Sequence, residues 1–374
     1  MSKFKVPYID LGAHYLVQEE EIVSEFKRIM EGAHFILRDD VDIFEKNMAN
    51  YLGVPHVIGV NSGTDALMLS VSNLGLRPGD EIITVAYTFV ASVSAIVHNR
   101  GVPVFADIGD DFNMDVGKIE ELITDKTKAV MPVHMNGRIC DMDALQDICS
   151  NKGLAIVEDA AQATGSKYKG KSAGSFGVAN SFSLHPMKTL SCAGDGGFVS
   201  THDDKIAERI RLMRNHGQKT KVDLEFFGVN SRLDNLQAAL INVRMKKLDH
   251  FIQQRRKTAK FYNSELSELP LSLPVGLDDP QRLDTFNSYV VQTPARTALH
   301  EFLKAESIET MIPMPKPLYL QEKLQLPRTP LPRTQQTNSE ALSLPVFPEI
   351  SEEQREHVTK TIKRFFSSEK WRKS

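Results

Sequence analysis

Between residues 56 and 201 short, almost wholly apolar runs alternate with stretches of helical spacing, and this alternation restricts the fold more than any other feature of the chain. The runs are His56–Val60, Glu81–Val85, Val102–Ala106, Ala129–His134, Leu154–Glu158, Asn180–Ser183 and Gly197–Thr201. Between them, Thr64–Leu74, Thr88–His98, Val116–Leu122 and Asp143–Lys152 carry helical periodicity. Runs with so few polar positions suit strands covered on both faces. Strands that alternate with helices build βαβ units around a mostly parallel sheet. The spacing therefore predicts an α/β domain with a mostly parallel sheet between helices. Such a sheet takes its ligands at the C-terminal ends of its strands, so the residues just after each run are where chemistry belongs.

Past residue 201 the character changes. Leu233–Lys260 reads as one long helix, with Ile241, Met245, Leu248 and Ile252 on one stripe. Arg244, Lys246, Lys247, Arg255, Arg256 and Lys257 fall mostly off that stripe and read as a solvated face rather than a polyanion site. Residues 264–350 are rich in proline, including Pro313, Pro315, Pro317, Pro327, Pro330 and Pro332, and a helix over Glu352–Phe366 closes the fold. The expected division is a large domain over 1–248 and a smaller C-terminal α+β domain over 249–374, as a length of 374 residues allows.

Charge narrows the function. With 45 basic and 48 acidic residues the net charge is −3, which argues against a nucleic-acid partner. No run approaches the roughly 18 apolar residues of a membrane span. The N-terminal segment has acids and no apolar core, unlike a secretory signal. The three cysteines, Cys140, Cys149 and Cys192, show neither disulfide nor zinc spacing. A cytoplasmic protein is expected.

Three motifs carry the chemistry. Asn61-Ser62-Gly63-Thr64-Asp65-Ala66-Leu67 follows a strand and opens a helix. Its amides at Gly63 and Thr64, its hydroxyls at Ser62 and Thr64 and the helix dipole favour a phosphate, although a plain helix cap reads equally well. In Val157-Glu158-Asp159-Ala160-Ala161-Gln162 a carboxylate ends an apolar strand. An anion there needs a cation, a protonated pyridine nitrogen or a metal, unless Asp159 merely caps the next helix. No second ligand stands at metal spacing nearby. In Ser183-Leu184-His185-Pro186-Met187-Lys188, Lys188 follows a buried-looking run, 29 positions after Asp159. A desolvated lysine has a lowered pKa and attacks carbonyls. Phosphate cup, buried acid and reactive amine, in that order on an α/β sheet, meet the needs of pyridoxal 5′-phosphate (PLP).

With these motifs the chain resembles the DegT-type (DegT/DnrJ/StrS) sugar aminotransferases of the fold-type-I PLP enzymes. The resemblance runs through Pro7–Leu11, Ser62–Leu67, Tyr87–Ser92, Val133–Leu145, Glu158–Gly165, Ser183–Gly197, Arg214–Gly217 and Gly228–Ala239. It implies an aspartate-aminotransferase-like large domain. It also implies that Lys188 holds PLP as a Schiff base and carries the proton in catalysis, and that Asp159 pairs with the pyridinium nitrogen. Gln162 would bond the ring hydroxyl, Phe89 would stack on the ring, and Gly63, Thr64 and Ser183 would bind the phosphate. Asn230 would reach the cofactor of a neighbouring subunit, making an obligatory homodimer with shared sites. Arg232, Lys219 and His185 are candidates for the substrate.

The implied reaction is ping-pong transfer of an amine from L-glutamate to a keto sugar on a nucleoside diphosphate, supplying amino sugars for surface polysaccharide such as lipopolysaccharide O-antigen, or for a natural product. A PLP-dependent sugar dehydratase, a cyclitol transaminase and a non-catalytic regulator are the alternatives. Lys188 argues against the dehydratase branch, whose members carry histidine there, and against a pure regulator. Two positions depart from the family pattern. Pro313 and Met314 stand where relatives often have a His-Tyr pair near the substrate, and Arg38 stands where many have glycine.

Overall fold

The structure, a computed structural model, describes residues 4–368. Helices α1 (Leu11–Leu16), α2 (Glu19–Gly32) and α3 (Asp39–Leu52) precede an α/β region. That region runs β1 (His56–Val60), α4 (Gly63–Ser72), β2 (Glu81–Val85), α5 (Val90–His98), β3 (Val102–Ala106), β4 (Thr127–Val130), α6 (Met142–Lys152) and β5 (Ala155–Ile156). A hairpin of β6 (Lys167–Tyr168) and β7 (Lys171–Ser172) leads to β8 (Asn180–Ser183), β9 (Gly197–Thr201), α7 (Asp204–Met213) and α8 (Asn235–Met245). The remainder is α9 (Leu248–Leu266), β10 (Arg282–Leu283), β11 (Tyr289–Gln292), α10 (Arg296–Ala305), α11 (Pro332–Glu340), β12 (Ala341–Leu344) and α12 (Glu352–Ser367).

β2 pairs in parallel with β3 and β4, and β4 with β5. Beyond β5, Asp159 makes parallel bridges to Val133 and to Ser181 of β8. β9 lies antiparallel between β8 and β1. The sheet therefore runs β3-β2-β4-β5-β8-β9-β1, with β9 the reversed strand. Both faces are covered. Leu67, Val71, Ala91, Ala95 and Ile96 of α4 and α5 pack on Ile82, Ala129, Met131 and Val157. On the other side Ile83, Val85, Val130 and Ile156 meet a core that includes Phe44, Met48, Leu145 and Ile241. Burial of each such side chain contributes about 1.5–3 kcal/mol, which explains the apolar strands.

Five strands occupy the ranges their sequence predicts. The fourth starts two residues early and ends at Val130, and the fifth is shorter, because Pro132 has no N–H to give the ladder and pairing resumes beyond it only as a bridge between Val133 and Asp159. Val116–Leu122 forms two 3₁₀ turns rather than a helix, with Gly117 in the first. The expected long helix over Leu233–Lys260 is two helices, broken at Lys246–Lys247. There the chain leaves the contacts of α8 with α2 and α3 for those of α9 with α12. The basic residues of this stretch are not all a solvated face. Arg244 and Arg255 are only 5% and 2% exposed. Arg255 gives Nη1 to the carbonyls of Phe286, Asn287 and Val346, and Arg244 lies over the Phe251 ring. Backbone carbonyls and aromatic faces thus take the place of water around these two cations.

A second core gathers Tyr262, Tyr289, Val291, Leu299, Leu342, Phe347 and Ile362 around the antiparallel pair β11–β12. Val6, near the other end of the chain, belongs to this core and bridges Ile308. The proline-rich strap returns to the first core, where Tyr319 and Leu331 pack on Ala86, Val93 and Phe105. Asp107 accepts from the amides of Arg333 and Thr334 and so caps α11. Among the described residues no helix is long and apolar enough to cross a membrane.

Candidate active site

The strand ends β1, β2, β5 and β8 converge on one cleft. At the end of β1, Ser62 caps α4, its Oγ accepting from the Asp65 amide at 3.1 Å. Its oxygen accepts in the cap while its own proton remains available, and Ser62 lines the cleft. The amides of Gly63 and Thr64 sit in the first turn, where helix N–H groups lack intrahelical partners, and none of the described residues accepts from them. Glycine is required here by contact, since a Cβ on Gly63 would stand 2.6 Å from Ser183 Cβ. Ser183, at the end of β8, is 8% exposed and closes the other side of this cup.

Two adjacent carboxylates follow β5 and do different things. Glu158 is fully buried and accepts from the amides of Gly174, Phe176 and Gly177 and from His134 Nε2, all within 2.7–2.9 Å. Asp159 points the other way, into the cleft. Its Oδ2 accepts from Ser92 Oγ at 2.6 Å and its Oδ1 from the Ala161 amide at 3.2 Å. Ser92 is held in turn against Thr88 Oγ1 at 2.7 Å. These bonds fix the direction in which Asp159 points.

Lys188 sits in the turn after β8, its amide bonded to the His185 carbonyl at 2.8 Å. Lys188 is half-buried as a residue and lines the cleft. Burial pushes its pKa down, opposed by the field of Asp159. Among the described residues nothing bonds its Nζ. Gln162 is positioned by the Asn136 amide on its Oε1 at 2.9 Å, leaving its amide nitrogen with only a long contact to Met135 Sδ. Phe89 is 61% exposed, a bare ring in the cleft.

The cleft has a volume of about 380 Å³ and brings Gly63, Thr64, Phe89, Asp159, Gln162 and Lys188 together with Ser183 and His185. Phe89, Gln162, His185 and Lys188 also border a second chamber of about 290 Å³. Its far wall comes from Tyr8, Arg255, Met311, Pro313, Met314 and Ser343. Three expected residues lie elsewhere in this chain. Lys219 pairs with Glu225 at 2.9 Å, Arg232 donates to Asn215 Oδ1 at 3.1 Å, and Asn230 is exposed beside them. Sequence reasoning gave no role to Ser92, Thr88, Glu158 or Arg255. Ser92 stands in a motif of the resemblance, but only the fold reveals that it faces a carboxylate 67 positions away.

An anion cup, a fixed carboxylate and a desolvated amine share a space of the size that small cofactors occupy. The residues fit PLP. Among the described residues no cluster of His, Cys, Asp and Glu could hold a metal. The model of the DegT/DnrJ/EryC1/StrS aminotransferase family matches residues 17–363. A "Pleiotropic regulatory protein" of Geobacillus stearothermophilus is 40% identical, over 96% of this chain and 98% of that one. A dTDP-3-amino-3,4,6-trideoxy-alpha-D-glucose transaminase of Streptomyces venezuelae is 36% identical over 96% of each. The crystal structure of S. venezuelae DesV in complex with a ketimine intermediate superposes with a TM-score of 0.93, at 37% identity, covering 96% of this chain and 98% of that one. The chain belongs to the DegT/DnrJ/EryC1/StrS aminotransferase family of PLP-dependent enzymes.

Proposed function

We propose that the enzyme transfers the amine of L-glutamate to the ketone of a sugar carried on a nucleoside diphosphate. The observation that carries this reading is the free amine of Lys188, desolvated in the same cleft as Asp159 and the Gly63–Thr64 amides. Relatives named as nucleotide-sugar transaminases support the substrate class. Bound PLP supplies an electron sink for the carbon that loses its proton. In this reading Asp159 pairs with the ring nitrogen, and Ser92 and the Ala161 amide hold its carboxylate in position. Gly63, Thr64 and Ser183 bind the phosphate, Gln162 donates to the ring hydroxyl and Phe89 covers one ring face. Lys188 takes the proton from the donor's carbon and returns it to the sugar's.

The loop over 219–230 supports a homodimer with shared sites. Phe227 is fully exposed, Val222 is 87% exposed and Leu224 62%, in one short projecting segment. Apolar surface of this kind suits an interface. Asn230 would then reach the partner's phosphate cup, with Lys219 and Arg232 near the substrate's charge. The division into units 1–248 and 249–374 is part of the same reading, with the sugar bound between them. So are a cytoplasmic setting and a product destined for surface polysaccharide or a natural product. The regulatory relative offers a second reading, but a pure sensor has no use for Lys188 in this setting.

The test is amine transfer by the holoenzyme from L-glutamate across a panel of nucleotide-linked keto sugars, with borohydride fixation of the cofactor and mass mapping of the modified lysine. An amino sugar and a label on Lys188 are expected. A label elsewhere, or no transfer to any ketone, sinks the reading.

A further inference from the structure

Arg255 is the feature that the roles above leave without a task. It lies in α9, is 2% exposed and lines the second chamber together with Lys188 and Gln162. Its Nη1 is engaged by three backbone carbonyls, the shortest bond being 2.6 Å to Val346. Its Nε is buried without a partner, and among the described residues its Nη2 makes no hydrogen bond. No carboxylate lies within ion-pair distance among the described residues, and Glu349 acts on it only through space. Burial pushes the guanidinium down to about 10, so it stays charged at neutral pH. A buried cation without a counter-ion is costly. One that borders a substrate chamber is relieved when an anion enters.

We propose that Arg255 receives the α-carboxylate of the amino donor. This rests on the transaminase reading and adds to it the group that recognises an amino acid. The donor's carboxylate is attached to the carbon whose proton Lys188 removes, so it must enter the chamber that Lys188 borders. A sugar's diphosphate is separated from the reacting carbon by the ring and can remain nearer solvent. Carboxylate and guanidinium match as planar, bidentate partners. Tyr8 and Ser343, joined by a 2.9 Å hydrogen bond on the same wall, keep one hydroxyl proton between them to donate to a remaining lone pair of the carboxylate.

The test separates the two half-reactions of the holoenzyme. The first is bleaching of its visible band by L-glutamate, and the second is return of the band when a nucleotide-linked keto sugar is added to the amine-loaded enzyme. In Arg255→Gln the glutamate concentration for half-maximal bleaching should rise about 10–100-fold, as loss of a charge-assisted contact implies, with the second half-reaction little changed. Calorimetric binding of glutarate, an unreactive dicarboxylate, should weaken alongside it. Arg255→Lys, which keeps the charge, should fall between. Wild-type enzyme should prefer L-glutamate to its α-amide, and Arg255→Gln should lose that preference. Equal loss in both half-reactions with the preference intact would make Arg255 a structural residue, and loss confined to the sugar step would assign it to the diphosphate. Wild-type enzyme that accepts the α-amide as well as glutamate overturns the proposal without any variant. If wild-type enzyme bleaches with glutamate but no keto sugar restores the band, the sugar reading fails while the assignment of Arg255 stands on the first half-reaction.

Discussion

The two walls of the cleft are built by different rules. On the wall built from residues 63–183, polar groups are fixed by backbone and by neighbours locked in turn. Asp159 is held by Ser92 and the Ala161 amide, Gln162 by the Asn136 amide, and the cup by contact between Gly63 and Ser183. The opposite wall carries Met311, Ile312, Pro313, Met314 and Val346 around Arg255, Ser343 and Tyr8. Its methionines are adaptable fillers. Met314 sits at a φ of 44°, unusual for a side chain of its size, and its carbonyl accepts from Asn338. The difference teaches that one wall can hold the reaction constant while the other selects the molecule.

The contrast is broken most severely by Lys188→Ala. Amine turnover should fall by roughly 10²–10⁴-fold, the range of a lost general acid–base group, and borohydride should no longer fix cofactor to the chain. Sustained turnover by this variant would remove Lys188 from its place. Next come the adjacent carboxylates. Asp159→Asn should lower turnover by about 10²-fold or more while thermal unfolding moves little. Glu158→Gln, which sets an NH2 group against either the Phe176 and Gly177 amides or the Gly174 amide and His134 Nε2, should destabilise the fold by about 3 kcal/mol. If the two variants exchange these signatures, the division of labour drawn from the structure is wrong.

On the other wall, Met314→Tyr should change the ratio of kcat/KM between two keto sugars by about 10-fold and leave glutamate bleaching unaltered. An effect on bleaching would show that the walls are not separable. The smallest effect is a pH displacement. In cofactor-free protein, burial lowers the Lys188 pKa, so its neutral amine persists to lower pH. The hydrogen bond to Glu225 raises that of exposed Lys219. Reductive methylation followed by mass spectrometry should show Lys188 reacting at a lower pH than Lys219. The reverse order would mean that the Lys188 ammonium is solvated.

Much of the first wall could be read from the sequence because local rules produce it. Apolar runs place the strands, and small or charged residues after them mark the ligand edge, so Gly63, Asp159, Ser183 and Lys188 meet as expected. What escaped depends on packing between distant segments. Ser92 finds Asp159 only once α5 lies beside β5. No glycine or proline announces the break at Lys246–Lys247, which arises because α8 and α9 serve different cores. Arg255 looked like one more charge on a helix. Its burial is decided by carbonyls of 286, 287 and 346, a set that no spacing within α9 encodes.

The insertion of β9 between β1 and β8 has a consequence for biogenesis. The cup needs Gly63 pressed against Ser183, and Gly197 must also lie flush with Ser62, since a Cβ on Gly197 would stand 2.4 Å from the Ser62 carbonyl oxygen. A ribosome-bound chain that has emerged only as far as Lys188 already carries Gly63, Thr64, Asp159, Gln162, Ser183 and Lys188, yet lacks the strand that wedges them into register. Cofactor capture must therefore wait until residues 197–201 have left the exit tunnel.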